Sequence, residues 1–158
     1  MTSQTTVERT SDREMIATRV VNGPAHLVFD AWTKPELMMR WWAPKSFGIT
    51  FLSCEIDART GGSYRLEFGH PDFDQPMVFF GRYTNVSPPH LLVWTNDEGE
   101  DEGAITTVTF EETDGRTRVT VHDLYPSKES LDQAIASGST GAWPEQFQSL
   151  DDLLVELA

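Results

Sequence analysis

Cysteine is almost missing from this chain: Cys54 is the only one in 158 residues. No disulfide can therefore close within it, and a metal finds no paired thiolates. Bases are scarce too, with 12 Lys and Arg against 25 Asp and Glu and a formal charge of −13. So negative a surface lacks the cationic field that draws nucleic acid or anionic membranes. Long apolar runs are also absent; none approaches the roughly 20 residues that a membrane-crossing helix needs. The first residues have neither the basic nor the apolar region of a secretory signal. These absences point to a cytoplasmic protein that binds neither nucleic acid nor membrane.

What the chain does have is aromatic side chains. They make up 11% of the residues, with five Trp, inside a hydrophobic share of 39%. That is enough to build one core at a mass of 17.8 kDa, and it argues against a disordered acidic chain. Residues 1–12, rich in Thr and Ser, are expected to form a disordered leader, and residues 13–158 a single domain.

β-branched residues predict a strand over 13–21, ahead of Asn22-Gly23-Pro24. Val28, Phe29 and Trp32 then recur at helical spacing until Pro35 interrupts them, which predicts two short helices in tandem. Strands follow over 47–57, 63–68, 77–83, 91–95, 104–111 and 116–123. In 63–68 the alternation is strict: Tyr64, Leu66 and Phe68 face one way, Arg65 and Glu67 the other. Asp114-Gly115 is a strong hairpin signal. Residues 97–102, with five acids in six positions, form a solvated loop that explains less than half of the charge excess. A short helix fits 127–137, ended by Gly138. Trp143, Phe147, Leu150, Leu154 and Leu157 fall on one stripe of a final helix, with Asp151, Asp152 and Glu156 on its other face. The fold class is α+β: a curved seven-stranded antiparallel sheet around a long C-terminal helix, with two short helices after the first strand.

Several motifs in this order resemble a known family. Arg19, Pro24, Ala31-Trp32-Thr33-Lys34-Pro35-Glu36-Leu37 and Trp41-Trp42-Ala43-Pro44 resemble the front of START-like (SRPBCC) proteins. The similarity is greatest to the branch related to the heat-shock-protein-90 ATPase activator. Residues 54–64, with Gly61-Gly62, resemble that branch's hairpin, and Gly81-Arg82-Tyr83, Pro88-Pro89-His90-Leu91 and Gly115-Arg116-Thr117-Arg118 follow. Gly141-Ala142-Trp143 departs from the usual Gly-Trp by one Ala. The resemblance covers about 13–157. It implies a helix-grip fold, as in the birch pollen allergen, with a hydrophobic cavity. It leaves function open, because carriers, receptors, cyclases and chaperone activators share the scaffold.

The candidate cavity residues come from the inward positions. The front helices supply Trp32, Leu37 and Trp41. The first central strands supply Tyr64, Leu66, Phe68, Met77, Phe79 and Gly81. Trp94, Phe110, Val119 and Val121 come from the later strands, and Trp143 and Phe147 from the last helix. Any one of them reads as ordinary core. Together they describe an aromatic-lined concavity of the kind that binds small apolar molecules. Gly81, inward between Phe79 and Tyr83, is expected to leave open volume.

Other chemistry finds little support. Asp57 and Arg59 read as a surface pair at the hairpin, and Arg65 and Glu67 as outer-face residues that pair with neighbours across the sheet. His26, His70, His90 and His122 are scattered, with no metal-ligand spacing. His122 and Asp123 are neighbours on a strand and so point to opposite faces, which leaves His122 as an outward residue at a sheet edge. No nucleophile elbow or phosphate-cradling loop is present. No catalytic residue, metal or cofactor is expected. The leading expectation is a non-enzymatic domain holding a small hydrophobic ligand. The alternatives are a chaperone-ATPase-activator-like interaction module and a cyclase-like cavity enzyme; the assembly is a monomer or a homodimer.

Overall fold

The computed structural model describes residues 5–43, 48–72, 74–97, 103–136 and 143–157. Pro44, Phe47, the acidic loop beyond Asp97, Gly138 and Gly141 lie outside these residues. The elements are β1 (Thr6–Arg9), β2 (Glu14–Val21), α1 (Ala25–Thr33), α2 (Pro35–Met38), β3 (Thr50–Ile56), β4 (Ser63–Gly69), β5 (Met77–Ser87), β6 (Leu91–Thr95), β7 (Ile105–Thr113), β8 (Arg116–Leu124), α3 (Lys128–Ala136) and α4 (Trp143–Leu157).

The strands form one antiparallel sheet in the order β1-β2-β8-β7-β6-β5-β4-β3. Eight strands stand where seven were expected, in an open array with β1 and β3 at the edges, not a curved or closed one. The added strand is β1, within the stretch expected to be a disordered leader. It pairs with β2, Thr6 opposite Thr18 and Arg9 opposite Met15. Its four residues are all exposed, so no buried face marks it by alternation; backbone pairing holds it, and Arg9 adds an ion pair to Asp132 of α3 at 2.8 Å.

The turns follow from local chemistry. At the β7–β8 hairpin Asp114 and Gly115 have φ of 54° and 79°, the left-handed pair that a tight two-residue hairpin requires. Pro35 opens α2 at its first position, where a missing N–H costs nothing. Lys34, between α1 and α2, is extended at φ −94° and ψ 122°, as a residue before proline must be.

Alternation along each strand makes two faces. Ala17, Val21, Tyr64, Leu66, Phe68, Tyr83, Leu92, Val108, Phe110, Val119 and Val121 turn toward the helices and are buried. α4 packs against β2 and α1, and α1 against β7 and β8. Phe147, Leu150 and Leu154 of α4 are fully buried, as its stripe predicts.

Asp151 corrects that stripe. It was expected on the outer face of α4, but it is 4% exposed and pairs with Arg19 of β2 at 2.6 Å. Its other oxygen accepts from the Asn22 N–H at 2.8 Å. The partner on β2 decides the matter: an arginine facing inward needs a carboxylate, and one turn of α4 supplies it.

Candidate functional site

α1 and the sheet meet around one indole. The ring of Trp32 lies 4.8 Å from Trp41, 5.5 Å from Trp42, 6.0 Å from Trp94 and 6.2 Å from Trp143, centroid to centroid. The contacts with Trp41 and Trp42 are edge-to-face and the one with Trp143 is stacked, arrangements that suit the ring quadrupoles. Beside the cluster, between α1–α2 and the inner face of β3–β6, lies a pocket of about 180 Å³.

Six of the expected cavity residues line it: Trp32, Tyr64, Leu66, Phe68, Phe79 and Trp94. Phe79 is 38% exposed, the most open of the lining. The structure does not bring the other nine to the pocket. Trp41, Phe110, Val119, Val121 and Phe147 are at most 1% exposed and fill the core. Trp41 has its own structural role, donating its indole N–H to the Ala31 carbonyl at 2.8 Å. Leu37, Met77 and Trp143 are half-buried against the core, and Trp143 stacks on Phe147 at 5.1 Å.

Gly81 is a correction of a different kind. It does face inward, but the space is taken. A Cβ there would stand 1.9 Å from the Thr95 carbonyl oxygen and 2.9 Å from the Tyr64 ring. The glycine permits a close backbone approach.

Met38, Trp42, Ile56, Tyr83 and Asn96 complete the lining, and sequence reasoning omitted all five. Strand parity could have found two of them. Tyr83 is two residues beyond Gly81, and Asn96 two beyond Trp94, each on the same face. Ile56 sits opposite Tyr64 in the β3–β4 register. Met38 and Trp42 belong to a helix of four residues and the turn after it, too short for any period to show.

One end of the pocket is polar. The Tyr64 hydroxyl donates to the Thr95 carbonyl at 2.7 Å. Asn96 donates through Nδ2 to the Ala104 carbonyl at 2.7 Å and to Thr106 Oγ1 at 3.1 Å. The Thr106 hydroxyl in turn donates to Asp123 Oδ1 at 2.5 Å. Burial pushes the Asp123 carboxyl above its ordinary value, and only in part do the Thr106 bond and the nearby His122 pull it back. Burial likewise raises the phenol of Tyr83. Both groups are therefore held toward their neutral forms.

The remaining candidates lie elsewhere. Asp57 and Arg59 form a surface pair at 2.9 Å, and Arg65 pairs with Glu67. His122 faces outward as expected, with Nε2 2.9 Å from Glu14 Oε1. Its strand is not an edge, however, because β8 runs between β2 and β7. Cys54 is half-buried, and burial raises its thiol to about 11, which leaves little thiolate near neutrality. Among the described residues no three His, Cys, Asp or Glu side chains are grouped to hold a metal, and no helix is long and apolar enough to cross a membrane.

Solved structures repeat this architecture. A protein from Rhodobacter sphaeroides superposes with a TM-score of 0.88 at 21% identity, covering 98% of this chain and 100% of its own. One from Staphylococcus epidermidis gives 0.80 at 25% identity, covering 97% and 95%. An AHSA1-like protein from Aeromonas hydrophila gives 0.69 at 20% identity, covering 90% and 94%. Among curated proteins none matches the chain. The family model for "Activator of Hsp90 ATPase homolog 1-like protein" matches residues 22–155, a span that runs from the turn before α1 to the last turns of α4. With the helix-grip architecture and the front motifs in agreement, the chain belongs to that family.

Proposed function

We propose that this protein is a binding module and not a catalyst, and that its pocket takes a small apolar molecule. The observation that carries the reading is the pocket itself: about 180 Å³ walled by Trp, Tyr, Phe, Leu, Ile and Met, with Asn96 as a polar group among them. Small-molecule sites have this composition, an apolar wall with a few placed polar groups. Affinity would come from burying ligand surface, worth about 25 cal/mol per Å² before the costs of association. A lone thiol of raised pKa suits a reducing, cytoplasmic setting.

Native mass spectrometry and fluorescence titration against lipids, polyketides and aromatic compounds test the reading. Selective one-to-one binding in the micromolar range is the expected result. Only millimolar, unselective binding across the panel would sink it.

The family's description favours a second reading more directly than the first: a module that acts on a chaperone ATPase. The charge of −13 would complement a basic surface on such a partner and make the association salt-dependent. If a purified heat-shock-protein-90 ATPase turns over at the same rate with and without saturating protein, at low salt, this second reading fails.

A further inference from the structure

Several polar groups in the pocket wall are already engaged. The Tyr64 hydroxyl gives its proton to the Thr95 carbonyl. Asn96 spends its amide N–H bonds on the Ala104 carbonyl and Thr106 Oγ1. Two buried lining residues keep a donor in hand, Tyr83 and Trp94, which face each other in the β5–β6 register. Neither the Tyr83 hydroxyl nor the Trp94 indole N–H has a hydrogen-bond partner among the described residues. Buried Tyr and Trp usually find one, and each exception calls for a reason.

Access separates the unpaired groups. Arg19 Nε and the Trp32 indole nitrogen are closed off even to water, so no guest reaches them. The Tyr83 hydroxyl is unpaired without being closed off, which means that open space lies beside it. Tyr83 is 4% exposed, and its ring is packed edge-on by Tyr64 at 5.7 Å and Trp94 at 6.4 Å. The space left to it is the pocket it lines. Of the two open donors the hydroxyl serves a guest better, because it turns about its C–O bond while an indole N–H is fixed in the ring plane. A phenylalanine at position 83 would fill the same apolar space without an unpaired group.

The surroundings narrow what that hydroxyl can take. Burial, with Cys54 and Asp57 nearby, holds the phenol in its neutral form, so it is a donor and not a charge. No lining side chain is charged, and a charged guest would lose its hydration there without repayment. The volume of about 180 Å³ is close to that of a dry cavity of about 150 Å³ known to hold benzene, so one ring fits. A carbonyl oxygen accepts a hydrogen bond without bringing a proton that needs a second partner.

We propose that Tyr83 sets the specificity of the pocket: its hydroxyl donates to the oxygen of a neutral one-ring carbonyl compound and selects it over the hydrocarbon of the same shape. The proposal rests on the small-ligand reading above and names its ligand class.

Acetophenone and ethylbenzene test it, because they are nearly equal in shape and differ by that oxygen. Each is titrated by calorimetry into the wild type and into Tyr83→Phe, which keeps the ring and removes only the hydroxyl. Both compounds are expected to bind both proteins. The affinity ratio of acetophenone to ethylbenzene should fall about tenfold in the variant, the loss of one hydrogen bond. Infrared spectroscopy on the wild type stands by itself if the variant does not fold. There the carbonyl stretch of bound acetophenone should lie below its position in hexane, as it does in a hydrogen-bonded ketone. An unchanged ratio, or a stretch at the hexane position, overturns the Tyr83 assignment and leaves the pocket reading standing. If neither compound binds the wild type, both are overturned.

Discussion

Asp123 shows how one half-buried side chain links sequence to a measurable property. Burial raises its carboxyl above the ordinary 3.8, so the folded chain holds that proton more tightly than the unfolded chain does. Stability is then fully present below about pH 4 and falls as pH climbs toward the raised folded value. Asp123→Asn removes this fall while keeping an oxygen for the Thr106 hydroxyl. Urea unfolding between pH 4 and 8 should show the variant gaining on the wild type as pH rises, then levelling off. A difference that stays constant with pH would contradict the raised carboxyl. Cys54 makes a second prediction. Its thiol, moved from 9.0 to about 11, should react with iodoacetamide at pH 8 about a hundredfold more slowly in the folded protein than after unfolding, tenfold per pKa unit. Equal rates would show that the thiol is not buried as described. Gly81 makes a third. In Gly81→Ala the new Cβ meets the Thr95 carbonyl at 1.9 Å, backbone against backbone, and cannot be relieved by rotating a side chain. The variant should lose about 1–3 kcal/mol of stability, as overpacked sites do, seen as a lower denaturant midpoint.

Among the elements, α4 depends on one polar contact as well as on its stripe. Arg19 and Asp151 are 5% and 6% exposed at their side chains, and the arginine also donates to the Gln148 side-chain carbonyl at 3.1 Å. Removing one partner from a buried pair strands the other charge, at a cost of about 3–5 kcal/mol. Asp151→Ala should therefore lower stability by that order, and Asp152→Ala, one residue on and exposed, by little. Similar losses in the two variants would mean that the pair does not fasten α4 to β2. This contact also shows where sequence reasoning stops. The apolar period of α4 and the alternation of β4 and β8 were legible, because burial writes itself into spacing. The Pro35 break and the Asp114-Gly115 turn were legible because they are local chemistry. Which carboxylate of α4 turns inward depends on an arginine 132 positions earlier in the chain, and no local pattern carries that. The same holds for Gly81: the sequence announces a missing side chain but not that the Thr95 backbone fills the gap. β1 was missed because a wholly exposed strand has no period to read.

For the whole molecule, the sequence delivered the aromatic inner surface but not the division of that surface into pocket and core. Inward parity is shared by Phe68, which lines the pocket, and Phe110, which is packed solid. What separates them is the placement of α1 and α4 over the sheet. α1 closes on β7 and β8, α4 on β2 and α2 on β3, and the pocket lies between them against β3 to β6. The central claim is that this uncovered part binds a small apolar molecule. Filling it tests the claim most directly: Leu66 lines the pocket at 5% exposure, and Leu66→Trp would occupy it. Calorimetric titration of an aromatic panel, with folding of the variant checked by its thermal melt, should give selective one-to-one binding to the wild type and a loss of at least tenfold in Leu66→Trp. Weak binding of every compound, unchanged by the filled pocket, would contradict it.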